Sequence, residues 1–338
     1  MTISIDSSHL SVLIPSHGGA RRLPRTLAAL ACGEQPPAGT VEVLVTDDGS
    51  QEVIDPMIGE GLPFPVKVLR SEEKQGRASA CNRALAAARG RVVLVLDDDM
   101  SANEGLLVGH LTAHSTHSRP HAIIGRIDTD PCFFHGRFGR FLSEEEEQRR
   151  RRALDARENI PFTHCLTGHF SMPRKSLVAL GGYNEAFSRY GFEDIELAWR
   201  IERAGIPLNF HNELRTKHRS DHASFATHCQ RHIESGEMAV VFARMAQDPR
   251  VDAFLRIGGM RVLHERGAFR KTMAISHGLV RQTPPPLVAP LLAMARLKIA
   301  LFEYLLPNAL LHALYHLVRD MHYAAGIARA QHSLPDNP

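Results

Sequence analysis

Gly90–Asp99 reads GRVVLVLDDD. Val92 to Leu96 form a fully apolar strand that ends on Asp97-Asp98-Asp99. The pattern occurs twice more upstream. Val41–Thr46 (VEVLVT) ends on Asp47-Asp48-Gly49-Ser50, and Leu10–Pro15 (LSVLIP) stops at Pro15. Arg22–Ala31 and the Ala-rich Arg77–Arg89, stopped by Gly90, read as helices, and Val66–Leu69 as a further short strand. Continuous apolar strands alternating with helices predict an α/β fold whose parallel sheet is covered on both faces. Ligands of such sheets bind beyond the carboxyl ends of the strands, where both acidic clusters lie.

The 338 residues suit two domains, or one large domain with an appendage. A charged fraction of 23% with 43% hydrophobic residues excludes disorder, collagen and a coiled-coil rod. The net charge of +3 is far from the basic excess of a dedicated nucleic-acid binder. Cys32, Cys81, Cys132, Cys165 and Cys229 show no CxxC spacing and are odd in number, which argues for reduced thiols and a cytoplasmic location. Met1–Leu10 carries Asp6 and His9 and is not a signal peptide. Pro290, Arg296, Lys298 and Glu303 break the most apolar stretch, Leu287–Leu306, short of a membrane span.

Three carboxylates at one strand end repel each other, and burial raises the cost. A divalent cation removes the conflict, and hard oxygen ligands suit Mg²⁺ or Mn²⁺. The alternative is a solvated loop in which one Asp caps the next helix. The turn Asp47–Ser50 allows a base or ribose contact, or simple turn chemistry. Gly76-Arg77 and Asn82-Arg83 open a helix at which an arginine can reach phosphates or remain solvated. In Gly191–Ile201 (GFEDIELAWRI), Leu197 and Ile201 share a helix face and set Glu193 and Asp194 at the helix N-terminus. There they complement the dipole, or serve as a general base. His218 is structural, or a ligand if a metal lies nearby. Glu144–Arg152 (EEEEQRRRR) is a solvated helix with acids ahead of bases.

The order of these motifs resembles the family 2 glycosyltransferases of GT-A fold. Leu10–Gly19 (LSVLIPSHGG) resembles their opening strand, Val43–Ser50 (VLVTDDGS) their nucleotide-binding turn, and Gly90–Asp99 the strand carrying their DxD metal motif. Thr167–Asn184 (TGHFSMPRKSLVALGGYN) and Gly191–Ile201 resemble the acceptor-side segment of polypeptide-GalNAc, β-galactosyl- and chondroitin-type transferases. The likeness runs from about Leu10 to His222. It departs from the family at Ala80-Cys81-Asn82, where relatives have an ARN triplet and where Arg77 or Arg83 would have to substitute. It departs again at Phe192, where relatives often carry Trp and glycines.

The resemblance implies a Rossmann-like, mostly parallel sheet over 1–224 and a helical C-terminal extension over 225–338. It implies an inverting, metal-dependent transfer of a sugar from a nucleotide-diphosphate sugar, UDP-sugar first, to an acceptor hydroxyl. Asp194 matches the catalytic base and Glu193 its partner. Pro15, Asp47, Asp48, Gly76, Arg77, Asp97, Asp98 and Gly168 form the donor-binding set, with Asp48 at the uracil. Asp97, Asp99 and His218 are the candidate ligands of Mn²⁺ or Mg²⁺, with His211 and His222 as competitors of His218. The acceptor class (glycan, lipid-linked sugar, peptide or small molecule) is open, and no nucleic acid is expected.

A nucleotidyltransferase would also use carboxylate-held metal, with Ser16–Arg22 (SHGGARR) as a weak basic glycine loop. A glycoside hydrolase would need neither the nucleotide turn nor the acidic triplet. A catalytically inactive scaffold on the same fold is the third alternative. The C-terminal third breaks at Thr283–Pro286 and at Pro307, and its last helix repeats Leu310, Leu314, Leu317 and Met321 on one side. That pattern suits packing onto the catalytic domain, a homodimer or peripheral membrane contact.

Overall fold

The computed structural model describes residues 10–116, 119–130, 135–156, 159–165, 167–219, 224–257 and 267–333. His222 and Cys132 lie outside the described residues. The eight strands are β1 (Leu10–Ser16), β2 (Val41–Asp48), β3 (Val66–Ser71), β4 (Val92–Leu96), β5 (Met100–Ala102), β6 (Ala122–Thr129), β7 (His169–Pro173) and β8 (Leu208–His218). The helices are α1 (Leu23–Leu30), α2 (Arg77–Ala87), α3 (Leu106–Ser115), α4 (Gly136–Ala156), α5 (Arg174–Ala179), α6 (Glu193–Arg203), α7 (Phe225–Ala246), α8 (Pro249–Leu255), α9 (Ala268–Gln282), α10 (Pro285–Phe302) and α11 (Asn308–Ser333).

One sheet orders the strands β3-β2-β1-β4-β7-β6-β8-β5. The first four are parallel, as their apolar runs predict. β7 then runs antiparallel to β4, β6 antiparallel to β7, and β8 parallel to β6. Two reversals return β6 and β8 to the direction of β4. The ends of β2, β4 and β8 therefore share one edge of the sheet, and β7 starts at that edge, with Leu96 opposite His169. β1, β2 and β4 are buried along almost their whole length and pack with Leu23, Leu27 and Leu107 into the sheet's core.

The chain forms two compact units, one of residues 1–133, 143–188 and 193–220, the other of 134–142, 189–192 and 221–338. Among the described residues the second unit is helical apart from its connections, and it takes in two short segments upstream of residue 224. The Thr283–Pro286 break separates α9 from α10, and Pro307 separates α10 from α11. In α11 the buried side differs from the one expected. Leu311, Tyr315 and Val318 are buried, while Leu310 is 50% exposed. Tyr315 stacks with Phe138, Phe141 and Phe225, so aromatic packing turns the helix by one position. No helix among the described residues is long and apolar enough to cross a membrane.

α7 and α11 cross at two glycines. A Cβ on Gly236 would lie 2.1 Å from the Tyr323 carbonyl oxygen, and one on Gly326 would lie 2.0 Å from that of Ile233. Backbone meets backbone there, so a side chain forces the helices apart. Gly236→Val is expected to cost about 1–3 kcal/mol or more. Gly278→Ala, whose Cβ meets nothing within 4 Å in α9, is expected to be neutral or to gain up to about 1 kcal/mol of helix propensity. Chemical denaturation of both variants checks the contrast, and equal stability of the two would refute the close crossing.

Candidate active site

The acidic clusters meet at the carboxyl edge of the sheet, each in a different way. At the end of β2, Asp47 is fully buried. It accepts from the Ser50 N–H at 3.0 Å and from the Arg70 guanidinium. Burial alone would raise its pKa, but the bonds from Ser50 and Arg70 outweigh that and hold the carboxyl below its ordinary value. Asp48 accepts from the main-chain N–H groups of Gln75 and Gly76, one on each oxygen, both at 2.8 Å. This fixes the loop into α2. Gly76 sits at φ +101°, and a Cβ there would lie 2.9 Å from the Ser188 carbonyl oxygen. Pro15 lies buried in β1, paired in register with Thr46 beside this turn.

Beyond the end of β4, in the turn that leads to β5, successive side chains part. Asp97 takes the Arg77 guanidinium at 2.8 Å, and its N–H donates to the Gly168 carbonyl. A Cβ on Gly168 would lie 2.5 Å from an Asp97 oxygen. Asp99 stands 3.2 Å from His218 Nε2, and its Oδ1 is buried with no hydrogen-bond partner among the described residues. Asp98 turns to other partners, Ser16 Oγ at 2.5 Å and Arg22 at 2.9 Å. Thr26 Oγ1 donates to its carbonyl. Both Asp98 oxygens are thus engaged in tying the end of β4 to Ser16 and Arg22. This also commits Arg22, the last residue of the weak basic loop.

Arg77 ties the edge together. Besides Asp97, it donates to Thr167 Oγ1 at 2.9 Å and to the Thr167 carbonyl at 3.1 Å. It lies 3.7 Å from Glu193 Oε1 and 5.8 Å from the centre of the Tyr183 ring. Arg83 bonds instead to Gln75 Oε1 and the Arg70 carbonyl, so Arg77 is the arginine that reaches this edge. Asn82 keeps the asparagine of the ARN position and holds Tyr183 by its N–H and carbonyl, both at 2.8 Å.

Glu193 and Asp194 begin α6. Burial, then the neighbouring Asp194 charge, push Glu193 up to about 7 against the pull of Arg77. Burial likewise raises Asp194, opposed by Arg77 and by main-chain donors. Glu193 Oε2 is buried without a hydrogen-bond partner among the described residues. This edge thus holds two orphaned carboxylate oxygens, one on Asp99 and one on Glu193. Phe192, at φ +70°, sends its ring toward Phe242, Phe254 and Tyr323, with centroids 6.2–6.5 Å away.

The three-ligand set Asp97, Asp99 and His218 is not assembled. Among the described residues no group of three His, Cys, Asp or Glu side chains is arranged to hold a metal, because Asp97 is drawn to Arg77. Asp99 and His218 remain as a pair. Burial disfavours the His218 charge, but the Asp99 bond and Glu146, 4.0 Å away on α4, raise the imidazole to about 9. His211 bonds to Glu213 at the far end of β8 from His218. Thr167, Tyr183 and Glu146 also reach this edge, and sequence pattern alone gives none of them a role. Thr167 and Tyr183 stand inside the quoted acceptor-side segment, but nothing in a run of four glutamates singles out Glu146.

Behind this edge lies a buried histidine network. His110 Nε2 is 2.9 Å from His169 Nε2, and Ser171 Oγ bridges His110 and His114 at 2.9 and 2.8 Å. Burial lowers His169 to about 4, so the ring is neutral and anchors the start of β7 beside Gly168.

The family described as "Glycosyl transferase family 2" matches residues 11–181, and "N-terminal domain of galactosyltransferase" matches 148–223. The chain is 25% identical over 258 residues to the uncharacterized glycosyltransferase YfnE of Bacillus subtilis, covering 62% of this chain and 64% of that one. Among solved structures it is similar to GalNAc-T7 with UDP, GalNAc and Mn²⁺, at 20% identity and a TM-score of 0.54, covering 74% of this chain and 50% of that one. It is also similar to the mannosyltransferase PcManGT of Pyrobaculum calidifontis with GDP-Man and Mn²⁺, at 16% identity and a TM-score of 0.57, covering 93% and 86%. The two structures bear on the fold, which is the GT-A fold. The chain spans less than two thirds of the length of the curated relatives it first matches. With the family match extending over half its residues, the chain belongs to glycosyl transferase family 2.

Proposed function

We propose that this chain transfers a sugar, with inversion, from a nucleotide-diphosphate sugar, UDP-sugar first, to an acceptor hydroxyl. The observation that carries the reading is the pair of orphaned oxygens at one sheet edge. Asp99 Oδ1 is an empty acceptor suited to a cation, and the raised Glu193–Asp194 pair is suited to proton transfer.

Asp99 and His218 are the side chains that would hold Mn²⁺ or Mg²⁺. His218, held protonated beside Asp99, would give up its proton on ligating the ion. When bound, the ion supplies charge stabilisation for the departing diphosphate. The chain's own residues do the rest. Asp48 and the loop through Gly76 cradle the nucleoside, with Asp47 rigidified behind them. Arg77 holds Asp97 steady for the ribose and diphosphate, and Gly168 lets the main chain approach. Asp194 takes the proton from the acceptor hydroxyl as that oxygen attacks the anomeric carbon. Glu193, repelled by Asp194 and close to Arg77, helps keep the acceptor oriented. One displacement inverts the anomeric centre, and no covalent sugar–enzyme bond is formed.

Asp194→Asn is expected to lower turnover by about 10²–10⁴-fold, while UDP binding in calorimetry stays within a few-fold. Normal turnover would remove Asp194 as the base. Asp99→Ala is expected to abolish Mn²⁺-dependent UDP binding by calorimetry, and unchanged binding would remove Asp99 as a ligand. A base must be ionised, and burial raises the Asp194 carboxyl above its ordinary value beside Glu193, itself pushed up to about 7, so the working form of Asp194 is lost as pH falls through that raised value. The acid limb of kcat/KM should therefore lie above the ordinary carboxylate range, and a limb within that range would contradict the burial argument. A panel of nucleotide sugars with Mn²⁺, scored for slow hydrolysis, identifies the donor without the acceptor. Release of pyrophosphate from nucleoside triphosphates instead would point to nucleotidyl transfer.

A further inference from the structure

α10 is apolar on two opposite sides. Val288, Leu292 and Ile299 form the stripe that packs into the helical unit, each at most 7% exposed. On the other side Leu287, Met294, Leu297 and Leu301 stand 51–64% exposed at spacings of seven, three and four residues. The exposed positions between them are alanines, prolines and Phe302, with Lys298 as the lone charged side chain on that side. The turn that follows adds Tyr304 and Leu305, 85% and 78% exposed.

A continuous apolar face of this kind marks a contact surface. A helix apolar all round is ordinarily buried or spans a bilayer, yet no helix among the described residues is long and apolar enough to span one. Its inner stripe is already used. The outer stripe therefore fits a helix lying in the plane of a membrane interface.

Charge selects the occupant. Between residues 267 and 310 stand Arg270, Lys271, Arg281, Arg296 and Lys298 against one acid, Glu303, which accepts from the Tyr315 hydroxyl at 2.9 Å. A second copy of this face would bring like charges together with no acid on the exposed side of α10 to pair with Lys298. Anionic headgroups complement these cations. Tyr304 beside Leu305 is the amphipathic ring and aliphatic pair that such a boundary favours.

We propose that α10 and the turn through Leu305 form a docking face for an anionic lipid surface, with the helix lying among the headgroups. The test is flotation of the full chain with vesicles of phosphatidylcholine alone and with vesicles of equal parts phosphatidylcholine and phosphatidylglycerol. The chain is expected to float with the mixed vesicles, and the bound fraction to fall about tenfold in Leu297→Glu/Leu301→Glu and with phosphatidylcholine alone. Lys298→Glu should weaken binding less and make it less sensitive to salt. All three substituted positions are exposed, and an unchanged thermal midpoint confirms folding. Absence of flotation with both vesicle types overturns the proposal, as does flotation indifferent to the double substitution. Light scattering that shows a dimer dissociated by the same substitution, with no vesicle binding, gives the face to a second copy and also overturns it.

Discussion

Carboxylates buried along one sheet edge repel one another, and each needs a compensating cation or a set of donors. Here the compensation is assigned nearly one to one. Arg70 serves Asp47, Arg22 serves Asp98, Arg77 serves Asp97 and lies close to Glu193, and His218 serves Asp99. The edge is stable as a structure because of these pairings, and its chemistry resides in what they leave over. One oxygen of Asp99 and one of Glu193 have no donor, and Asp194 has main-chain donors without a dedicated cation. The groups with chemistry to offer are the ones that structural pairing has not consumed.

Much of the fold was legible because β1, β2 and β4 are buried along almost their whole length and therefore read as largely apolar runs. β7 and β8 were not legible as strands. β7 (HFSMP) is fully buried over its first four residues, but its interior polar atoms are matched by His110 and His114 rather than avoided. β8 (LNFHNELRTKH) is largely polar and partly exposed, with a bulge opposite Gly125/Arg126, so no clean alternation survives in the sequence. Without these two strands the return of His218 to the end of β4 cannot be derived from periodicity, and its candidacy came from resemblance.

The candidate site was legible in its residue types but not in its division of labour. Three consecutive aspartates look equivalent in a sequence. The turn after β4 separates them, and the identity of each neighbour then decides: Arg77 for Asp97, Ser16 and Arg22 for Asp98, His218 for Asp99. Those partners lie between 20 and 119 residues away along the chain, beyond the reach of any local pattern. The same distance effect hid the buried face of α11, which follows aromatic residues contributed by α4 and α7 rather than its own leucine repeat.

The crossing of α7 and α11 through Gly236 and Gly326 has a mechanical consequence. Helices that slide past each other do so on a cushion of side chains that exchange rotamers. Where main chain touches main chain there is no such cushion, and the two long rods are geared like meshed teeth. Any flexing of this unit is then confined to its connecting turns, and the pair transmits force as a single stiff lever.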